Sequence, residues 1–252
     1  MNTKSEQMPS RWEGVERSAT ARAVAAVVSD VVAVVWDFDG VLVDTEWAVY
    51  QAWQEVCTAH GGELPLDEYV RCVGSDHGTW DPKAYLEKQI GRRLDWPPIL
   101  EAKNQRTRDL LEGSGPMPGV ERWLGKLRGT EVPQAVASSS TREWVGGWLE
   151  RLGLVEYFNS LHCRGEAPRL KPAPDLFLAA AGSLGVPPRH ILAIEDSRNG
   201  VAAAKEAGMH VLAVPNQITG VQDLSEADLH VESLDSPEAL QLLGAIVKLR
   251  LS

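Results

Sequence analysis

Four short apolar runs in the chain predict buried β-strands. They cover residues 31–36, 133–137, 190–194 and 209–214. Apolar and polar positions do not alternate along these runs, which is typical of parallel strands that are covered on both faces. Amphipathic stretches separate the last three runs. This alternation of strands and helices predicts a doubly wound, mostly parallel, Rossmann-like α/β fold.

The amphipathic stretches predict helices with recognisable ends. We expect helices over residues 119–128, 141–152, 174–184 and 199–207. Gly153, Gly185 and Gly208 each follow the last apolar position of a stretch. Glycine is common there because it adopts the left-handed conformation that ends many helices.

A long insertion separates the first two predicted strands. Residues 47–115 are mostly helical in pattern, with breaks at Gly61-Gly62, Gly74, Gly91 and Pro97-Pro98. We predict an N-terminal extension (1–29), a core (30–46 and 116–252) and an inserted helical cap (47–115). The segment around Thr45 and residues 115–119 are the expected hinges, and the tryptophans of the insertion are expected to pack its own small core.

Composition narrows the choice of partners and compartment. The chain has 25 basic and 35 acidic residues, a net charge of −10, which argues against nucleic-acid binding. The apolar stretch before the first strand is too short for a membrane helix, and no secretory signal precedes it. Three widely separated cysteines predict neither a disulfide framework nor a zinc site. We therefore expect a cytoplasmic protein, monomeric or weakly dimeric, that binds neither nucleic acid nor membrane.

Chemically active side chains follow the predicted strands. Ligands bind at the carboxyl ends of strands in open α/β sheets, so these positions are candidate site residues. They are Asp37, Asp39 and Gly40 after the first strand, Ser138, Ser139 and Ser140 after the second, Lys171 between two later elements, and Glu195 and Asp196 after the third. Burying such carboxylates without a role would be costly.

These four segments, in this order, resemble the haloacid dehalogenase superfamily. Its members carry Asp-x-Asp-Gly, then Ser or Thr, then Lys, then an acidic pair. The resemblance implies that Asp37 is a nucleophile that forms an aspartyl-phosphate and that Asp39 is the general acid and base. The dehalogenases proper lack the second aspartate and the metal, so Asp39 and Asp196 argue against dehalogenation.

The resemblance also implies a cofactor and the residues that stabilise a phosphoryl group. Mg²⁺ is expected on Asp37, the backbone carbonyl of Asp39, and Asp196, while Glu195 holds the ion or its waters. Lys171 and Ser138 are expected to stabilise the phosphoryl group, with Ser139 and Ser140 as alternatives to Ser138. The expected substrate-binding residues are Gly40, through its N–H, Thr45 and Ser139.

The position of the insertion resembles the subgroup with a small helical cap, which includes β-phosphoglucomutase and sugar-phosphate phosphatases. Mutase-type members carry a histidine four residues after the threonine of the first motif, where this chain has Val49. They also carry an arginine after a short glycine-containing loop, where this chain has residues 73–78 without one. Both departures favour a magnesium-dependent phosphatase of a small phosphorylated metabolite. The alternatives are a hexose-phosphate mutase and, from a different class, a receiver-like phospho-acceptor module.

Overall fold

In the computed structural model, which describes residues 24–25, 27–73 and 80–251, six parallel strands form one sheet. The strands are β1 (Ala33–Trp36), β2 (Gln134–Thr141), β3 (Ser160–Arg164), β4 (Ile191–Glu195), β5 (His210–Ala213) and β6 (Leu229–His230). Their spatial order is β3-β2-β1-β4-β5-β6. The order reverses between β1 and β4, and a crevice opens at such a switch point. The predicted doubly wound, Rossmann-like fold is confirmed.

Two strands were not predicted, and one strand is longer than predicted. β3 reads Ser-Leu-His-Cys-Arg and β6 has only two residues, so neither carries the apolar run of a central strand. β2 was expected to end at Ala137, but it continues through three serines to Thr141. Its pairing with β3 shifts register between Ala137 and Thr141, so the polar end of β2 is still paired.

Helices cover both faces of the sheet. They are α1 (Glu46–Ala59), α2 (Leu66–Tyr69), α3 (Pro82–Ile90), α4 (Trp96–Leu110), α5 (Val120–Arg128), α6 (Arg142–Leu152), α7 (Asp175–Leu184), α8 (Arg198–Glu206) and α9 (Pro237–Leu251). Alternate residues of each strand face opposite layers. Val34 and Trp36 pack in the layer that holds α5, α6 and α9, whereas Ala33 and Val35 pack in the layer of α7 and α8.

The predicted helices of the core are present within one residue at each end. Thr141 accepts a hydrogen bond from the backbone N–H of Trp144 and so caps the start of α6. Gly153 ends α6 and Gly185 ends α7, both in the left-handed conformation. Glycine is the natural residue at these positions because a side chain there would be strained.

The helices α1 to α4 surround a separate apolar cluster. Trp53 and Cys57 of α1 pack there with Tyr69 and Leu86, and Trp53 contacts Trp96 edge to face at 6.2 Å. Buried tryptophans thus fill this cluster as expected. The expected helix break at Pro97-Pro98 was wrong: both prolines lie in the first turn of α4, where no N–H is needed within the helix.

Several predictions fall outside what the structure describes or stay untested. Most of the N-terminal extension, together with Gly74 and most of the loop at residues 73–78, lies outside the described residues. The boundaries of core and cap stay predictions. Among the described helices, none is both long enough and apolar enough to cross a membrane.

Candidate active site

The site begins where β1 ends at the switch point. Asp37 directly follows β1, and its backbone N–H donates to the Ile194 carbonyl of β4 at 2.9 Å. The chain then turns at Gly40, which has a φ of 85°. A Cβ on Gly40 would lie 2.3 Å from Oδ2 of Asp196, so only glycine lets this turn approach the acidic side chain.

The N–H of Gly40 has a partner within the turn itself. It donates to the carbonyl oxygen of Val43 at 2.8 Å. In the conformation described this N–H is engaged within the loop, and the expectation that it binds substrate stays a prediction. The turn uses the group to hold the loop closed, and the role of Gly40 is to allow the close approach to Asp196.

Three buried carboxylates meet around one buried ammonium group. Carboxylate oxygens of Asp37, Glu195 and Asp196 lie within 4.8 Å of one another. The Nζ of Lys171 donates to Oδ1 of Asp37 and, at 2.5 Å, to Oε1 of Glu195. The side chain of Lys171 is 1% exposed, so this lysine is a fixed part of the site rather than a surface residue.

The cluster carries more negative than positive charge. Burial raises the pKa of Asp37 and that of Asp196 well above their usual values, and repulsion from Glu195 adds to both shifts. Burial would lower the pKa of Lys171, but Asp37 and Glu195 together raise it above its usual value. A hard divalent cation with oxygen ligands would offset the remaining charge, so the donor set fits Mg²⁺.

Glu195 and Asp196 are held by different partners. The other oxygen of Glu195, Oε2, accepts the backbone N–H groups of Asp196 and Ser197 at 3.1 and 3.2 Å. Oδ2 of Asp196 accepts the side-chain amide of Asn216 at 2.7 Å and the hydroxyl of Thr219 at 3.3 Å. These contacts fix both carboxylates without supplying a positive charge.

The side chain of Asp39 lies outside this cluster and accepts four hydrogen bonds. Oδ1 accepts from the hydroxyl of Thr45 at 2.6 Å and from the indole Nε1–H of Trp144 at 2.9 Å. Oδ2 accepts from the hydroxyls of Ser140 at 2.5 Å and Ser138 at 3.4 Å. The carboxylate is therefore fixed in one orientation.

The three serines and Thr45 lie in different surroundings. Ser138 is fully buried, and its oxygen also accepts the backbone N–H of Ser140 at 3.0 Å. Ser139 and Ser140 instead line the cavity described next, and the Oγ of Ser139 is buried without a hydrogen-bond partner in the described structure. Thr45 is 1% exposed and holds Asp39.

A cavity of about 590 Å³ lies between these residues and the inserted helices. Its core side includes Asp37, Asp39, Ser139, Ser140, Trp144, Arg164, Lys171 and Asp196, and its cap side includes Glu46, Val49, Tyr69, Cys72, Lys103 and Asn104. This volume is of the size that holds a small molecule. Asp37 lies among the lining residues and is 7% exposed.

Sequence reasoning did not assign roles to several lining residues. Glu46 follows Thr45 and accepts a hydrogen bond from the hydroxyl of Tyr69 at 3.2 Å. Burial raises the pKa of Glu46 to about 7 and lowers the pKa of Lys103 to about 8. The position of Glu46, next to the first motif in the chain, could have identified it as a candidate site residue. Lys103 and Trp144 reach the cavity from helices whose placement the sequence does not reveal.

Comparisons with known proteins agree with this geometry. A model of the haloacid dehalogenase-like hydrolases matches residues 34–214. The YhcW protein of Bacillus subtilis (strain 168) is 38% identical over 177 residues, covering 70% of this chain and 80% of that protein. The fructose-1-phosphate phosphatase YqaB of Escherichia coli (strain K12) is 31% identical over 179 residues, covering 69% of this chain and 92% of the relative.

A solved structure extends the similarity to the fold. The structure of CbbY from Rhodobacter sphaeroides in complex with xylulose 1,5-bisphosphate superposes with a TM-score of 0.70 at 26% sequence identity. The similarity covers 84% of this chain and 99% of that one. The family model spans the chain from within β1 to the residue after β5, and so includes all four motifs. The chain therefore belongs to the haloacid dehalogenase-like hydrolases.

Proposed function

We propose that the protein is a magnesium-dependent phosphatase, a phosphoric monoester hydrolase that acts on a small phosphorylated metabolite such as a sugar phosphate. The observation that carries the proposal is the buried cluster of Asp37, Glu195 and Asp196 around Lys171, with Asp37 open to a cavity of about 590 Å³. The sugar-phosphate chemistry in the names of YqaB and of the CbbY complex supports this substrate class.

Asp37 is the nucleophile in this proposal. One of its carboxylate oxygens attacks phosphorus, the bond between phosphorus and the leaving oxygen breaks, and an aspartyl-phosphate forms. Burial raises the pKa of Asp37, and Lys171, together with Mg²⁺ when bound, would stabilise its ionised form, so the nucleophile needs charge neutralisation rather than a base. Lys171 contacts Asp37 directly and offsets part of the charge that the phosphoryl group brings.

Asp39 moves the protons. In the first step it gives a proton to the leaving oxygen, which departs as an alcohol. In the second step it takes a proton from the water that attacks phosphorus, and the bond from phosphorus to Asp37 breaks to release phosphate. The four donors around Asp39 fix its orientation, as both steps require.

Asp37, Asp196 and the backbone carbonyl of Asp39 are the residues that would hold Mg²⁺, and Glu195 would hold the ion or its waters. The ion would supply positive charge to the phosphoryl oxygens. We keep Ser138 as the hydroxyl that would donate to a phosphoryl oxygen, with Ser139 and Ser140 as alternatives, because Ser138 lies beside Asp39 while the Oγ of Ser139 is buried.

Two observations favour hydrolysis over the alternatives. Val49 lines the cavity at the position where the mutase-type members carry a histidine, and its side chain can neither donate nor accept a proton. A receiver-like module would present its phospho-acceptor to a protein partner, whereas Asp37 is 7% exposed and faces a small-molecule cavity. The acid–base group Asp39 would also have no task in a stable phospho-acceptor.

The test is phosphate release from a panel of sugar phosphates, nucleotides and phosphoglycolate, beginning with fructose 1-phosphate. Each reaction is run with Mg²⁺ and with excess chelator, using the wild type, Asp37→Asn and Asp39→Asn. Asp44→Asn is the matched control, because Asp44 lies in the same loop but does not line the cavity described above. We expect Mg²⁺-dependent release that both site variants lose and the control retains.

Other outcomes would contradict the proposal in distinct ways. Conversion of a hexose 1-phosphate to its 6-phosphate isomer without phosphate release would identify a mutase. A stable phosphoryl group on Asp37 with no turnover of any substrate would favour the phospho-acceptor module. Full activity of Asp37→Asn would remove Asp37 from the nucleophile role.

A further inference from the structure

The indole of Trp144 connects a helix of the core to the proposed acid–base residue. Its Nε1–H donates to Oδ1 of Asp39 at 2.9 Å, although the two residues are 105 positions apart in the chain. Trp144 lies in the first turn of α6, where its backbone N–H is bound by the cap residue Thr141. Its ring packs edge to face against Trp148, one turn later, at 6.0 Å. The donor is thus fixed by its own helix.

Trp144 differs in kind from the other three donors to Asp39. Thr45, Ser138 and Ser140 carry hydroxyl groups, which can rotate and can accept as well as donate. An indole N–H can only donate, and its direction is set by the position of the ring. Thr45 also lies in the segment that we predict to be a hinge. Among the side chains of the described residues that donate to Asp39, the indole is therefore the one whose hydrogen bond keeps its direction when the hydroxyls rotate.

We propose that Trp144 is a positioning residue for proton transfer at Asp39. This inference rests on the proposed function, in which Asp39 protonates the leaving oxygen as its bond to phosphorus breaks. By binding Oδ1, the indole fixes the plane of the carboxyl group. The other oxygen, Oδ2, is bound by the hydroxyls of Ser138 and Ser140, which can change partner. Small errors in the orientation of a catalytic group are costly, so loss of this contact slows proton transfer.

The consequence is a dependence on the leaving group. An alkyl oxygen, as in a sugar phosphate, is a poor leaving group and needs a proton from Asp39. A p-nitrophenolate leaves readily without one. The value of kcat/KM reports the steps through the first phosphoryl transfer, so a defect in positioning Asp39 lowers kcat/KM for sugar phosphates and spares it for p-nitrophenyl phosphate.

The experiment compares Trp144→Phe with Trp123→Phe on fructose 1-phosphate and p-nitrophenyl phosphate, at saturating Mg²⁺. Phenylalanine keeps an aromatic ring at position 144 and removes the N–H. Trp123 is the matched control, because it is a fully buried tryptophan of α5 whose indole N–H donates to the Leu234 carbonyl at 3.0 Å, and it is not among the cavity-lining residues of the described structure. Asp39→Asn is measured in parallel.

We expect Trp144→Phe to lower kcat/KM for fructose 1-phosphate by about 10- to 100-fold, the range for loss of a hydrogen bond to a charged group, and for p-nitrophenyl phosphate by less than about threefold. For p-nitrophenyl phosphate, kcat should fall, because hydrolysis of the aspartyl-phosphate still needs Asp39 as a base. KM should fall with it, because kcat/KM is nearly unchanged. Trp123→Phe should change the rates with both substrates equally, since a lower folded fraction scales both rates.

Four results would overturn the proposal. An equal loss on the two substrates would make Trp144 merely structural, and no loss on either would show that its N–H is not needed. If Asp39→Asn is inactive while Trp144→Phe behaves like Trp123→Phe, the positioning role fails and the proposed function stands. If Asp39→Asn turns over fructose 1-phosphate normally, the acid–base assignment fails as well.

Discussion

The substitution Glu46→Gln tests the electrostatics of the cavity wall through protein stability. Burial is the main reason that the pKa of Glu46 is raised to about 7, and repulsion from Asp39 adds to it. The hydrogen bond from Tyr69 and the charge of Lys103 oppose the shift but do not cancel it. Glutamine has nearly the same shape, can still accept the hydrogen bond from Tyr69, and has no charge to bury.

The expected magnitude follows from the two pKa values of Glu46. A carboxyl group with a folded pKa of about 7 and an unfolded value of 4.5 binds more protons in the folded state between these values, so stability falls as pH rises through that window. At 1.36 kcal/mol per pKa unit, the loss between about pH 5 and pH 7.5 is about 2.4 kcal/mol. This is an upper limit, because the carboxyl group borders a cavity that admits water.

The assay is urea unfolding of the wild type and Glu46→Gln at these two pH values, in excess chelator so that metal binding does not add to stability. The window stays below the pKa of Lys103, which is about 8. Glu46→Gln should gain stability relative to the wild type as pH rises, approaching that limit. The measured quantity is the change in the difference between the two proteins, so other titrating groups cancel.

The matched control is Glu55→Gln, on the same helix. Glu55 is exposed, and its hydrogen bonds with Arg106 hold its pKa below the usual value. It is ionised at both pH values, so its substitution should not change the pH dependence in this window. A pH-dependent gain below about 0.5 kcal/mol in Glu46→Gln, or an equal gain in Glu55→Gln, would refute the reasoning.

Two further substitutions test the acidic cluster. Lys171→Met removes the ammonium group from buried carboxylates, and urea unfolding at neutral pH should show a loss of about 3 to 5 kcal/mol together with loss of phosphate release. A stability within about 1 kcal/mol of the wild type would contradict the charge argument. Gly200→Ala would place a Cβ within 2.0 Å of the Glu195 carboxylate, so we expect about 1 to 3 kcal/mol of destabilisation and lower activity. Gly182→Ala, in a helix where an added Cβ meets nothing within 4 Å, should leave activity unchanged, and an equal effect of both alanines would exclude the steric explanation.

The fold was predictable from the sequence where burial imposes a pattern. The four central strands are covered on both faces, so their residues had to be apolar in unbroken runs. β3 at the sheet edge has one fully buried residue, Cys163, and only Leu161 among its other residues is apolar, so no run marks it. β6 is too short to show any periodicity. The serine-rich end of β2 was missed because polar residues do not continue an apolar run. Whether they belong to the strand depends on their pairing with β3, which the sequence does not show.

The candidate site was predictable where chemistry lies next to a strand in the chain. Asp37 and Asp196 directly follow buried strands, and Glu195 is the last residue of β4. Parallel strand order brings them together, so the cluster follows from the motifs and the fold alone. The choice between Ser138 and Ser139 was not decidable in this way. It depends on which hydroxyl points toward Asp39, and one residue reverses that direction in a strand.

The residues that the sequence did not reveal share one property: they reach the site from elements distant in the chain. The indole of Trp144 meets Asp39 only because α6 starts beside the end of β1, and Lys103 meets Glu46 only because α4 packs along α1. Neither has a local pattern, since a tryptophan or a lysine in an amphipathic helix has many ordinary roles. Their positions follow from tertiary packing, and this packing brings Trp144 against the proposed proton donor and Lys103 against the cavity wall. We therefore expect such tertiary contacts to distinguish this enzyme from relatives that carry the same four motifs. The leaving-group dependence tests Trp144, and the pH dependence of stability tests Glu46.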